Sequence, residues 1–217
     1  MSLYNNFKEN LGRTIDTSSR NSDEIDLIAV SKKKSIEDIR QVIQAGHTSF
    51  GENQIQEVES KWIDLKKEYP HLKLHFIGSV QSKKVKSIFQ YCDVVHSIDR
   101  IKIIELFSNL EEEQGISRDY FIQINTGNET QKSGVILDEA DKFISNCISN
   151  YKLNIIGLMC LPPLNEDPKS HFLKLAKLAN GFGLSSLSMG MSNDFKVALE
   201  CGATHIRIGT KIFGERN

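Results

Sequence analysis

Asp26-Leu27-Ile28-Ala29-Val30-Ser31-Lys32 is a short apolar run that breaks off into polar residues, and a second run of this kind, His205-Ile206-Arg207-Ile208-Gly209-Thr210, lies near the C-terminus. The first is apolar at successive positions, the pattern of a parallel strand covered on both faces. Further strand candidates lie between them at His47–Phe50, Lys73–Ile77, Val94–Ile98, Tyr120–Asn125, Asn154–Met159 and Ser186–Met189. The intervening segments carry apolar residues at helical spacing, as in Ile36, Ile39, Ile43 or Ile103, Ile104, Phe107, Leu110, and again in Ala140, Ile144, Cys147, Ile148 or Phe172, Leu175, Ala176, Ala179. Another amphipathic segment, from Ser2 to about Ile15, precedes the first strand. An extra N-terminal helix followed by eight strand–helix units predicts an α/β fold, a closed (β/α)8 TIM barrel. An open doubly wound sheet is the structural alternative. No Pro/Gly/Ser-rich linker interrupts the pattern, so residues 1–217 read as a single domain.

Composition narrows the function classes. The chain has 217 residues with 27 Lys+Arg against 28 Asp+Glu, a net charge of −1 that lacks the footprint of a nucleic-acid binder. Its longest apolar stretch, Ile155–Leu161, falls far short of the ~20 residues that span a bilayer. The N-terminus has no apolar core of a secretory signal, so the expected location is cytoplasmic. Cys92, Cys147, Cys160 and Cys201 form no CxxC pair and the histidines are scattered, so neither disulfides nor a metal site are expected.

In either architecture ligands sit beyond the C-terminal ends of the strands. Those ends carry Ser31-Lys32, Gly51-Glu52-Asn53, Gly78-Ser79, Asp99-Arg100, Asn125-Thr126-Gly127, Cys160-Leu161-Pro162, Gly190-Met191-Ser192 and Gly209-Thr210. Strand parity puts Ile28, Val30 and Lys32 on one face. If that face is the barrel interior, Lys32 stands at its mouth, where partial desolvation favours the neutral amine that Schiff-base formation requires. The alternative is a solvated basic loop with Lys33 and Lys34. Arg207 takes the face opposite Ile206 and Ile208, and an inward arginine needs an acceptor, either a carboxylate such as Glu52 or a ligand. The turns at Ser188–Ser192 and Arg207–Thr210 carry Gly190 and Gly209 beside Ser188, Ser192 and Thr210, a pair that in barrels commonly holds a phosphate.

The chain resembles the pyridoxal phosphate homeostasis protein family, single-domain relatives of the alanine racemase N-terminal barrel. The resemblance runs nearly end to end. It is carried by Ala29-Val30-Ser31-Lys32, Phe50-Gly51-Glu52-Asn53, His75-Phe76-Ile77-Gly78, Asn125 with Glu129, Lys132, Ser133 and Gly134, and Gly157-Leu158-Met159. Leu187-Ser188-Met189-Gly190-Met191-Ser192 and Arg207-Ile208-Gly209-Thr210 with Ile212-Phe213-Gly214 complete it. The resemblance implies pyridoxal 5'-phosphate as cofactor, Lys32 as the aldimine lysine, and Ser188, Ser192, Gly209 and Thr210 as phosphate ligands. It further implies Asn53 beside the ring and Arg207 at the pyridine nitrogen. One departure is Val80-Gln81-Ser82-Lys83-Lys84, where Lys83 replaces the asparagine usual in the family.

A permanently charged arginine at the ring nitrogen disfavours protonating it and weakens the cofactor as an electron sink. No tyrosine lies in the C-terminal region where a racemase would supply its second base. The expected protein is therefore a monomeric carrier without evident turnover, with pyridoxal phosphate-dependent apoenzymes or amino acids as partners. A low-activity amino-acid racemase is the alternative, and a cofactor-free barrel acting on phosphorylated metabolites a third class.

Overall fold

In the computed structural model, which describes residues 2–17, 20–129 and 131–215, eight parallel strands form a closed ring. They are β1 (Asp26–Val30), β2 (Ser49–Glu52), β3 (Lys73–Phe76), β4 (Val94–Ile98), β5 (Asp119–Asn125), β6 (Asn154–Cys160), β7 (Ser186–Ser188) and β8 (His205–Ile208). Closure comes from β1 beside β8, with Ile28 opposite Arg207, and from β4 beside β5. A closed ring has no exposed edge, so the doubly wound alternative does not hold. A two-residue strand, Val135–Ile136, adds to the end of β5 opposite Ile124 and Asn125.

Local signals set the helices. Ile36–Gln44 starts at a reciprocal capping box between Ser35 and Asp38. Ile101–Gln114 stops at Gly115, whose φ of 65° is left-handed. Pro168–Gly181 opens with proline in its first turn behind an Asp167 cap. The N-terminal helix, Leu3–Thr17, buries Tyr4, Phe7, Leu11 and Ile15 along one stripe. Phe7 meets Phe195 edge-on at 5.3 Å, and the Tyr4 hydroxyl lies 3.2 Å from His47 Nδ1.

Strand parity divides the interior into two unlike regions. Outward residues such as Ala29, Phe50, Leu74, Tyr120 and Ile206 join the large core between strands and helices. Inside the ring, among the described residues, the buried apolar side chains are Ile28 and a small cluster of Val94, Phe121 and Met159, with Ile156 and Leu161 against it. Ser49, His75, His96, Ser188 and Arg207 are also buried and share hydrogen bonds, so this barrel is polar where aliphatic layers are usual.

The expected β2, His47–Phe50, is displaced to Ser49–Glu52. His47 is used before the strand begins, its Nε2 lying 2.7 Å from the Ser49 carbonyl. Gly51, which looks like a turn residue, pairs with His75 in the ladder. Its missing side chain makes room for Ile28, whose Cγ2 would lie 2.8 Å from an added Cβ.

Candidate functional site

Lys32 stands just beyond β1, in parity with Ile28 and Val30, and with Val30 it lines a cavity of about 720 Å³ at the barrel mouth. Ser31 points the other way. Its Oγ donates to Glu52 Oε1 at 2.7 Å, and its carbonyl accepts from Lys61 Nζ at 2.9 Å. Lys33 follows with a left-handed φ of 59° and its amide donates to Glu57 Oε2 at 2.5 Å. Lys34 Nζ donates to the carbonyls of Phe213 and Glu215 at 3.1 and 2.8 Å. The three consecutive lysines thus separate, and the loop is fixed from behind while Lys32 faces the cavity.

Asn53, Ser192, Arg207, Gly209 and Thr210 line the same cavity. Asn53 Oδ1 is buried and has no hydrogen-bond partner. The helix Thr210–Phe213 opens from Gly209, so its leading amides are not used within the helix. Asp194 also lines the space, with its Oδ1 engaged by the Met191 amide at 2.6 Å.

Ser188 is placed differently. It ends β7 with its side chain inside the ring below the cavity, fully buried, 2.8 Å from His96 Nδ1. Arg207 donates to Ser188 Oγ at 2.5 Å and to the Cys160 carbonyl at 3.0 Å. Of the two acceptors open to Arg207 in the sequence, a carboxylate such as Glu52 or a ligand, Glu52 is not used. Glu52 has the outward parity of β2, lies on the helix side of the sheet, and is bound by Lys61 at 2.6 Å and Trp62 Nε1 at 3.2 Å. Burial raises the Glu52 carboxyl above its ordinary range despite the opposing Lys61 charge.

Comparison with known proteins places this geometry in a family. Residues 4–217 match the family described as Alanine racemase, N-terminal domain. The pyridoxal phosphate homeostasis protein of Vibrio alginolyticus is 40% identical over 210 residues, covering 91% of this chain and 89% of that one. The chain belongs to the pyridoxal phosphate homeostasis protein family. PipY of Synechococcus elongatus PCC7942 is 30% identical to it. The structure of PipY without pyridoxal phosphate superposes with a TM-score of 0.82, and the structure with it bound superposes at 0.79, each covering 94% of this chain and 99% of PipY.

The motif residues Asn125, Glu129, Lys132 and Ser133 tie loops together beside the cavity. Asn125 Nδ2 donates to the Glu129 carbonyl at 2.8 Å, and Lys132 Nζ contacts Glu129 Oε2 at 2.5 Å and the Pro162 carbonyl at 3.2 Å. Ser133 Oγ lies 2.7 Å from Ser79 Oγ. Lys83 is exposed and lies outside the cavity lining, so the departure at that position adds surface charge only.

Of the residues expected at the strand ends, Ser79, Leu161, Pro162 and Met191 also line the cavity, whereas Gln123, Pro163 and Leu164, which line it too, were not singled out in the sequence. Sequence reasoning also passed over His75, His96 and His205, which strand parity would have placed inside the ring with Arg207. His71 and His75 are four apart, but His75 is in β3 and His71 is exposed before it. Among the described residues no group of three or more His, Cys, Asp or Glu is arranged to hold a metal.

Gly78 sets the position of Asn53. A Cβ there would overlap the Asn53 carbonyl oxygen and its backbone, which cannot swing aside like a side-chain tip. Gly78→Ala is expected to lower stability by about 1–3 kcal/mol, read as a lower urea midpoint at unchanged slope.

Proposed function

We propose that this protein binds pyridoxal 5'-phosphate in the barrel-mouth cavity and holds it reversibly on Lys32, keeping a reactive aldehyde sequestered until it is passed on. The observation that carries this is convergence: Lys32, Asn53, Ser192, Arg207, Gly209 and Thr210 come from four separate strand ends and line one cavity. The buried, unpartnered Asn53 Oδ1 fits a polar ligand that completes its surroundings. Bound pyridoxal phosphate supplies an aldehyde that condenses reversibly with an amine.

The chain's own groups divide the remaining work. Ser192, Thr210 and the amides that open the last helix offer donors to a phosphate. Arg207 directs a fixed positive charge into the cavity and opposes protonation of a ring nitrogen placed against it, which favours holding the cofactor over carbanion chemistry. The cavity carboxylates are already engaged, Asp194 by the Met191 amide and Glu166 by His171 at 3.1 Å. The homologue's description as a homeostasis protein supports the same reading. Delivery to apoenzymes, and action as a cytoplasmic monomer, belong to this proposal. No helix among the described residues is long and apolar enough to cross a membrane.

The test is to load the protein with pyridoxal phosphate, reduce with borohydride and map the peptides. A pyridoxyl group on Lys32 is expected. Labelling confined to any other lysine overturns the assignment.

A further inference from the structure

The barrel interior holds a continuous hydrogen-bonded chain below Arg207. Arg207 Nη1 donates to Ser188 Oγ, Ser188 Oγ lies 2.8 Å from His96 Nδ1, and His96 Nε2 lies 2.9 Å from His75 Nδ1. His75 Nε2 then lies 3.0 Å from Ser49 Oγ and 3.5 Å from Asp26 Oδ2. The chain crosses from β8 to β7, β4, β3, β2 and β1. It therefore links the guanidinium at the mouth to a carboxylate at the opposite end of the barrel.

The direction of the chain follows from its ends. A guanidinium only donates, so Ser188 accepts from Arg207 and its own proton needs an acceptor. His96 Nδ1 is that acceptor if the ring carries its proton on Nε2. His96 Nε2 then donates to His75 Nδ1, and His75 Nε2–H points at Ser49 and the Asp26 carboxylate. In the reverse order Ser188 Oγ would accept from both Arg207 and His96, leaving its own proton without an acceptor, and the His75 Nε2 lone pair would face Asp26. Both features are unfavourable.

We infer that Ser188, His96 and His75 are positioning residues that form a one-directional hydrogen-bond chain from Arg207 to Asp26, holding the guanidinium in place beneath the ligand cavity. Each histidine carries its single proton on Nε2. Phe121 fixes the His96 ring by stacking at 4.4 Å. Burial, opposed by Asp26, pushes His75 down to about 3. Burial also holds His96 well below the ordinary histidine range, with the neighbouring His75, His205, Arg207 and Lys73 acting in the same direction. The other charged groups facing His75 are His205, Lys73 and Asp93. Asp26 stays below the ordinary aspartate range: burial raises it, and the neighbouring His75, Ser49, His205 and Lys73 outweigh that.

The inference rests on the pyridoxal phosphate reading only for what Arg207 faces, so the first measurement omits the cofactor. Histidine ring ¹⁵N correlation spectra of the unloaded protein are expected to show His75 and His96 as Nε2–H tautomers that do not titrate between about pH 5 and 8. A proton on Nδ1 of either ring, or an imidazolium in that range, overturns the chain. Asp26→Asn is expected to convert the single tautomers to mixtures; unchanged tautomers remove Asp26 as the terminus. Ser188→Ala is expected to weaken pyridoxal phosphate binding about tenfold and shift its absorption maximum. Unaltered affinity and spectrum in that variant overturn the positioning role, whereas a wild type that binds no cofactor fails the functional proposal alone.

Discussion

Lys32→Ala protein mixed with pyridoxal phosphate is expected to emerge colourless from gel filtration and to carry no borohydride-stable adduct. Its dissociation constant, measured by equilibrium dialysis, should rise by roughly two orders of magnitude, about 3 kcal/mol. The loss is large because a positioned amine replaces a bimolecular condensation by an intramolecular one, an advantage that no free amine restores at ordinary concentration. It is not total, because Ser192, Gly209 and Thr210, the proposed phosphate donors, still line the cavity. Thr210→Val, which deletes one hydroxyl and leaves Lys32 in place, should weaken binding about tenfold or less. An intact adduct yield in Lys32→Ala would move the covalent site elsewhere.

Why Lys32 and Arg207 were legible in sequence, while much of their support was not, follows from what a strand encodes. Each residue's face is fixed by its position in its own strand. Parity therefore placed Lys32 with Ile28 and Val30, and Arg207 opposite Ile206 and Ile208, and both face the cavity. Partners across strands depend on the stagger of neighbouring strands, which neither strand carries alone. His75 sits opposite Gly51 and Val94 in the ladders, yet its hydrogen bonds go to Ser49 and His96, one strand to each side. Ser188 was misplaced for a related reason. The turn motif around it is phosphate-like, but Ser188 itself is still the last residue of β7. Glu52 was read as a residue beyond a strand end because Gly51 resembles a turn; β2 in fact runs through it, and outward parity removes it from Arg207.

Lys61 shows the limit most plainly, since a lysine in an amphipathic helix ordinarily reads as solvated, and its removal carries the largest expected cost to the fold. The helix over Ile55–Glu68 contains a π turn at Val58–Trp62. In a regular α-helix adjacent side chains diverge by about 100°, yet here Lys61 and Trp62 both reach Glu52 Oε1, at 2.6 and 3.2 Å. Lys61 also contacts Glu57 Oε2 at 2.8 Å and is 8% exposed, while Glu52 is fully buried. Lys61→Met leaves a buried carboxylate without its counter-ion and is expected to cost about 3–5 kcal/mol at neutral pH. The pH dependence has a definite sign. Glu52 in the folded protein is already raised by burial, and loss of Lys61 raises it further. The folded state then holds that proton more tightly than the unfolded state, so stability falls as pH rises from the ordinary glutamate range through the raised folded value. Urea unfolding should therefore show the deficit of Lys61→Met shrinking toward acid, and Glu52→Gln in the same chain should recover much of it at neutral pH. A deficit that is flat with pH and unchanged by Glu52→Gln would mean that the cost comes from lost packing of the lysine stem instead. Because Lys61 also holds the Ser31 carbonyl, the single variant should loosen the backbone beside Lys32 and weaken pyridoxal phosphate binding, and the Glu52→Gln double variant should leave that second defect uncorrected.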